Sequence, residues 1–329
     1  MANKRIEYID IYRAIGILCM VAGHVNFGPI FGIFIHAFHM PMFYIASGYF
    51  FRSNIKFKDY IKKKVKTLIV PYIIFGFVFY VIQLLMNSNG WYLTELKNLL
   101  FYPNEGVAIA GALWFLISLF IVDIFMYFIE KIKNKYIKLG MVIILSLIGN
   151  LSNIIIPFKL PFAISSAFVG VGLFYIGNLT QKYKDNKIVN KCMNLNYFEL
   201  LVVIIFELVL IFINGEVNMR TGIYSIIPLF WINAVISSAV IINISKIILK
   251  LKKIRKILIN IGRDSIAYVC MNQFVILIIV KITNLFNLIN IEIIEKLVDK
   301  LLILIFTIST IYIVNWLINK TKFKFILGK

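Results

Sequence analysis

The sequence predicts an all-α membrane protein with about ten transmembrane helices, and three observations support this fold class. Hydrophobic residues make up 61% of the 329-residue chain, whereas soluble proteins hold about 45–50%. The mean hydropathy is +0.89. The apolar residues also fall into runs of about 20 residues, which is the length that a helix needs to cross the hydrocarbon core of a bilayer.

The predicted spans follow one another along the chain with short polar connections. They cover residues 8–28, 31–51, 67–87, 111–130, 137–156, 162–180, 197–213, 223–245, 264–282 and 298–318. The connections are too short for a separate soluble domain, so residues 1–329 are expected to form a single membrane domain. The first apolar run is long and no small-residue cleavage site follows it, so we expect no cleaved signal peptide.

The formal net charge of +20 is distributed as topology signals are, in short tracts between apolar runs. If the spans alternate in direction, 28 of the 35 Lys and Arg residues fall on the side of the two termini and six on the other. Cytoplasmic loops are enriched in these residues. We therefore expect both termini in the cytoplasm, a multi-pass protein of the cell (plasma) membrane, and no nucleic-acid partner.

Arg13 and His24 lie in the first predicted span, where ionisable groups cost roughly 2.5–3.5 kcal/mol each and usually line a cavity or pair with one another. Eleven residues turn a helix by about 1100°, so both side chains project from one face, roughly 16 Å apart along the axis. Asp10 lies three residues before Arg13 and is expected to pair with it. We expect one water-accessible chamber to hold both Arg13 and His24.

The three histidines of the chain all lie within residues 24–39. His36 and His39 are three residues apart on the second span and are expected to be neighbours on its surface. A tight turn around Gly28 should bring His24 and His39 to similar depths. A neutral imidazole suits general-base catalysis near neutral pH.

Structural alternatives remain for several of these residues. Arg13 with Asp10 could be an interfacial snorkelling pair, and His36 could be a hydrogen-bonded packing residue. The histidine spacing matches no standard metal-ligand pattern, so no metal is predicted. Asp123 and Glu207 could each line a cavity or bridge two helices. Cys19, Cys192 and Cys270 have no disulfide or metal spacing and are given no role.

Five segments resemble, in order, the motifs of the family-3 membrane acyltransferases, most closely the fucose 4-O-acetylase-like branch. They are YIDIYRAIGILCMVAGH (8–24), FHMPMFYIASGYFF (38–51), KKKVKTLIVPY (62–72), GALWFLISLF (111–120) and IGRDSIAYVCMNQF (261–274). The first carries a basic residue, ten residues and then a histidine. Together the segments extend over some 270 residues, and this extent makes the resemblance specific.

The resemblance implies an O-acyltransferase that moves an acyl group, most often acetyl from acetyl-CoA, to a hydroxyl of a cell-envelope or exported polysaccharide sugar. The acceptor would be a glycan or a lipid-linked sugar. It implies His24 as general base and Arg13 as a donor-site or structural cation. The remaining candidate residues are His39 and Asp10 for catalysis, Lys62, Lys63, Lys64 and Lys66 for the phosphate-rich coenzyme, and Ser47, Trp114, Ser265 and Asn272 as substrate or motif positions.

One position departs from the family pattern. The late motif usually ends in a histidine where this chain has Asn272, and an amide cannot exchange a proton near pH 7. The alternative function is a transporter or flippase for a lipid-linked glycan or a small anion, with Arg13 and the histidines along its path. A scaffold with degenerate chemistry in an envelope-polysaccharide complex is a third hypothesis. The spacing from Arg13 to His24, together with the Leu-Trp-Phe-Leu segment, favours an enzyme.

Overall fold

The computed structural model describes residues 6–86, 92–285 and 293–329, and these fold into a bundle of helices. The α-helices are α1 (Glu7–Val25), α2 (Pro29–His36), α3 (His39–Tyr49), α4 (Phe57–Lys64), α5 (Val70–Met86), α6 (Tyr92–Phe101), α7 (Trp114–Ile129), α8 (Lys135–Ile155), α9 (Ile164–Lys182), α10 (Lys187–Cys192), α11 (Tyr197–Asn214), α12 (Ile227–Ile248), α13 (Lys252–Arg263), α14 (Ser265–Leu285) and α15 (Ile293–Asn319). The only β-pairing within the described ranges is an isolated bridge between Asn218 and Ile223.

The described residues contain ten helical stretches that are long and apolar enough to cross a membrane, which confirms the predicted fold class and number of spans. They are Glu7–Val25, Pro29–Tyr49, Phe57–Met86, Ile109–Ile129, Lys135–Ile155, Pro161–Lys182, Tyr197–Asn214, Ile227–Ile248, Ser265–Thr283 and Lys296–Asn319.

The second span is two helices and not the single helix that the sequence predicted. α2 ends at His36 and α3 begins at His39, with Phe38 at φ −136° between them. The cause is Pro41, because a proline inside a continuous helix would clash with the carbonyl of residue 37 and would leave that carbonyl without a donor. The break places His36 and His39 at two helix ends that meet.

The third span begins ten residues earlier than predicted, because α4 continues into α5 through a π-helix over Val65–Ile69. The widened turn lies immediately before Pro71 near the start of α5. Proline has no amide hydrogen to donate to the preceding turn, and such turns accommodate an extra residue. The lysine-rich segment is therefore helical and extends the third span at its basic end.

The predicted turn after α1 is confirmed. Asn26 has φ +64° and Gly28 has φ +106°, the region where asparagine and glycine are favoured. The Gly28 amide donates to Oδ1 of Asn26 at 3.2 Å. This turn folds α2 back beside α1, so that the end of α1 with His24 lies next to the break between α2 and α3.

Two helices form the centre of the bundle. α1 contacts α2, α3, α12, α13, α14 and α15, and α9 contacts α3, α7 and α8. The packing of α3 on α9 is close: a Cβ at Gly48 would overlap the carbonyl oxygen of Phe174, and a Cβ at Gly177 would overlap that of Ile45. Small residues allow such approach between membrane helices. α1 and α3, which carry five predicted site residues, are thus held inside the bundle.

Candidate active site

A cavity of about 140 Å³ lies at the end of the bundle where α1 terminates, and it contains all three histidines. We call it the histidine chamber. Its walls are Met20, His24, His36, His39, Met40, Phe43, Gly111, Ala112, Trp114, Phe115, Asn218, Met219, Arg220 and Val269. None of these lining residues is an acid. The chamber therefore combines three imidazoles with one guanidinium.

The His24 ring contacts a residue that the sequence did not single out. Gln273 of α14 lies with Nε2 3.1 Å from Nδ1 of His24. Its other amide atom, Oε1, is buried and has no hydrogen-bond partner among the described residues. A neutral imidazole has one donor and one acceptor nitrogen. A half-turn of the Gln273 amide would present its Oε1 to the Nδ1–H of His24. The lone pair at Nε2 of His24 would then be free.

His36 and His39 are neighbours, as their spacing predicted. Their ring centroids are 5.1 Å apart in an edge-to-face arrangement. Each Nδ1 lies 2.8 Å from the carbonyl four residues earlier, Gly32 for His36 and Ile35 for His39. Because a carbonyl only accepts, Nδ1 is the donor and each neutral ring keeps its lone pair at Nε2. Both rings are thus oriented as hydrogen-bond acceptors.

Arg220 is the second residue that sequence reasoning missed. It lies in the segment between α11 and α12, where its Nε donates to the carbonyl of Asn104 at 2.5 Å and its Nη2 to that of Glu105 at 3.0 Å. Burial lowers the pKa of the guanidinium, and the charge of Glu105 opposes the shift. The only sequence signal was its membership of the six cations on the less basic side.

Gly111 explains how the guanidinium reaches the chamber. A Cβ at this position would lie 2.5 Å from Nη1 of Arg220 and 3.1 Å from Oε1 of Gln273. Both distances are shorter than ordinary van der Waals contact. The absence of a side chain at Gly111, two residues before the Leu-Trp-Phe-Leu segment, therefore leaves room for the Arg220 and Gln273 side chains.

A second cavity, of about 420 Å³, opens at the opposite end of the bundle. We call it the basic cavity. Five cations line it together with two predicted serines, namely Arg13, Lys63, Lys64, Arg263, Lys329, Ser47 and Ser265. The Arg13 guanidinium lies 5.2 Å above the Phe50 ring. Lys64 pairs with Asp123 at 2.8 Å and Lys329 with Asp264 at 2.5 Å, so part of the positive charge is already compensated.

The two cavities meet at a thin wall. Phe43, Phe115 and Val269 line both of them, and the rings of Phe43 and Phe115 are 5.7 Å apart. The expectation of one chamber for Arg13 and His24 is therefore wrong. The two residues do lie on the same side of α1, but Arg13 lines the basic cavity and His24 lines the histidine chamber, because the aromatic side chains of α3 and α7 fill the space between them.

The other predicted residues are distributed as follows. Trp114 and His39 line the histidine chamber. Lys62 and Lys66 are exposed and are not among the residues that line the basic cavity. Asp10 is buried and lies outside the lining of both cavities. Asn272 is also buried, and its Nδ2 donates to the carbonyls of Tyr268 and Val269 in its own helix.

The two acidic residues with open alternatives both bridge helices. Asp123 of α7 accepts a hydrogen bond from Tyr60 of α4 at 2.6 Å and pairs with Lys64. Glu207 of α11 accepts a hydrogen bond from Ser237 of α12. In the described part of the chain, no group of three His, Cys, Asp or Glu side chains has an arrangement that could hold a metal ion.

The ten apolar helical stretches define a multi-pass membrane protein, and two cavities approach each other inside its bundle. Residues 6–320 match the acyltransferase domain of acyltransferase family 3, and the chain belongs to this family. It is thus a membrane acyltransferase. The comparisons with curated proteins and with solved structures gave no match.

Proposed function

We propose that the protein transfers an acetyl group from acetyl-CoA to a hydroxyl of a cell-envelope or exported polysaccharide, with His24 as general base. The observation that carries the proposal is the pair of cavities, which approach each other across Phe43, Phe115 and Val269. One cavity suits a polyanionic donor and the other contains the imidazoles. The proposal places the basic end in the cytoplasm and the protein in the plasma membrane.

The basic cavity supports the donor assignment. Coenzyme A carries several phosphate charges, and the lining cations Arg13, Lys63 and Arg263 would attract them. Its volume of about 420 Å³ falls within the usual range of roughly 300–1,000 Å³ for small-molecule sites. In this proposal the nucleotide end of the donor remains in the basic cavity. The pantetheine arm passes between the wall side chains and presents the thioester to His24.

The reaction then proceeds in the histidine chamber. His24 accepts the proton of the acceptor hydroxyl while the oxygen attacks the thioester carbon. The Arg220 guanidinium supplies positive charge for the developing oxyanion. Collapse of this intermediate breaks the C–S bond, and the imidazolium returns its proton to the leaving thiolate. The products are an O-acetyl ester and free coenzyme A, so protons and electrons balance without a further reactant.

The test compares His24→Ala with wild type in two assays. We expect the release of coenzyme A thiol in the presence of acceptor to fall by about 10²–10⁴, the usual contribution of a general base. The acetyl-ester content of the envelope polysaccharide should fall with it. His36→Ala is the matched comparison, and its loss should stay below about tenfold, under the usual range for a general base.

Two results would contradict the proposal. A wild-type rate in the His24→Ala protein, at normal abundance in the membrane, would exclude His24 as the base. Loss of the whole surface polysaccharide in a deletion strain, with no acetyl transfer by the purified wild-type protein, would instead favour the transporter or flippase.

A further inference from the structure

We propose that a polar cleft beside the histidine chamber binds the acceptor as a chain of at least two sugar units. The cleft has a volume of about 560 Å³. Its lining residues lie within four segments of the chain, 102–105, 153–160, 165–166 and 218–222, and it shares Asn218 and Arg220 with the chamber. This inference rests on the proposed function, because it names the acceptor class and where the acceptor lies.

The size of the chamber is the first argument. Its volume of about 140 Å³ is below the range of roughly 300–1,000 Å³ that is usual for small-molecule sites. It can therefore receive only the reactive end of an acceptor. The remainder must occupy a space that adjoins the chamber on the side away from the basic cavity, and the polar cleft does so at Arg220.

The lining of the polar cleft is suited to sugar hydroxyls. Its side chains offer both hydrogen-bond donors and acceptors, which sugar hydroxyls need. They are the amides of Asn104, Asn153 and Asn218, the hydroxyls of Tyr102, Ser165, Ser166 and Thr221, and the charged groups of Glu105, Lys159 and Arg220. Lys159 pairs with Glu105 at 2.7 Å. Lys159 therefore adds little net charge, and the groups suit hydroxyls better than a polyanion.

Hydrogen bonds between its segments stabilise the shape of the polar cleft. Asn104 donates to Oγ of Ser166 at 3.3 Å, and Ser166 donates to the carbonyl of Met219 at 2.7 Å. Asn153 donates to the carbonyl of Thr221 at 2.5 Å. These bonds connect all four segments of the cleft. A site that is already ordered loses less conformational entropy on binding.

A second cleft also adjoins the chamber, and it is the other space that could receive the sugar chain. It has a volume of about 370 Å³, shares His36 and Asn218 with the chamber, and is lined mainly by glycines and by apolar residues such as Phe27, Phe31 and Ile33. We call it the apolar cleft. It offers few partners for hydroxyl groups, so we place the sugar chain in the polar cleft.

The experiment blocks each cleft with the same bulky residue. Thr221→Trp would obstruct the polar cleft at an exposed position, and Phe31→Trp would obstruct the apolar cleft. Acetyl transfer from acetyl-CoA is measured with two acceptors: oligosaccharides of two to six units prepared from the envelope polysaccharide of the host strain, and glycerol, which is small enough for the chamber alone. Abundance and thermal unfolding of each variant show that it folds.

We expect Thr221→Trp to raise the KM for the oligosaccharides at least tenfold. The KM for acetyl-CoA and the rate with glycerol should stay at wild-type values, and Phe31→Trp should change none of these. An unchanged oligosaccharide KM in Thr221→Trp would overturn the inference. An increase in Phe31→Trp alone would also overturn it, because the acceptor would then lie in the apolar cleft.

A binding assay separates this inference from the proposed function. A diazirine derivative of the same oligosaccharides is cross-linked to the wild-type protein, and the labelled peptides are identified by mass spectrometry. Labelling within 153–166 or 218–222 that Thr221→Trp removes would support the cleft even if no acetyl transfer were found. Absence of labelling in these segments would reject the cleft even if acetyl transfer were found.

Discussion

The residues around His24 determine which nitrogen of its ring can accept a proton. Gln273 contacts Nδ1, and His36 and His39 already have their Nδ1 atoms bonded to backbone carbonyls. For His24 to accept a proton at Nε2, the Gln273 amide must present its oxygen to Nδ1–H. Gln273 would then be a positioning residue that holds the tautomer needed for catalysis.

Two variants of Gln273 test this role. Gln273→Met removes both hydrogen-bonding atoms, and we expect kcat to fall by about 10–100-fold, the size of the effect when a metal-ligating histidine loses its supporting hydrogen bond. Gln273→Glu restores an acceptor and should recover part of the loss. Both proteins should keep the wild-type KM for acetyl-CoA. An equal loss of kcat in the Gln273→Met and Gln273→Glu proteins, or a raised KM for acetyl-CoA, would show that Gln273 is only a packing residue.

Close packing between helices holds the candidate site in position. α3 carries His39, Phe43 and Ser47, and its position is set by contact with α9 at Gly48 and Gly177. An added methyl group at either glycine would meet backbone atoms, which cannot move aside as a flexible side chain can. The α3–α9 interface therefore sets where the wall between the two cavities lies.

Gly48→Ala should accordingly destabilise the protein by about 1–3 kcal/mol, as overpacking does. The midpoint of thermal unfolding in detergent would fall. Gly140→Ala is the matched control, since nothing lies within 4 Å of a Cβ at Gly140 in α8. Alanine has a helix propensity about 0.8–1.0 kcal/mol better than that of glycine, so this variant should unfold at the same or a higher temperature. A lower midpoint in Gly140→Ala alone would refute the packing argument.

Charge is distributed unevenly between the two ends of the molecule. The basic cavity and the lysine-rich segments share one end of the bundle, and the histidine chamber and both clefts share the other. We propose that the basic end faces the cytoplasm, as the positive-inside rule predicts. That orientation would let a cytosolic donor and an external acceptor approach the same centre from opposite sides.

A labelling experiment tests this orientation. Cys192 is exposed at the basic end, whereas Cys270 is buried. A membrane-impermeant maleimide should label Cys192 only after the cells are permeabilised. In a Cys192→Ser protein, a cysteine introduced by Thr221→Cys should be labelled in intact cells. The opposite pattern would invert the topology and remove the cytosolic access of the basic cavity.

Local properties of the chain were enough to predict the ten spans, their charge asymmetry and the family. Run length, composition and motif spacing can each be read from neighbouring residues. The side on which Arg13 and His24 lie was also predictable, because helix geometry relates residues eleven positions apart. Pro41 was also a local signal for the helix break, although the predicted span 31–51 ran through it.

Helix packing determined the features of the site that the sequence did not predict. Gln273 contacts His24 across 249 positions of sequence, and Arg220 reaches the chamber past Gly111. Phe43 and Phe115, from different helices, divide the expected single chamber into two cavities. Such contacts depend on which helix faces meet and how closely their backbones approach, and no spacing along one helix contains that information.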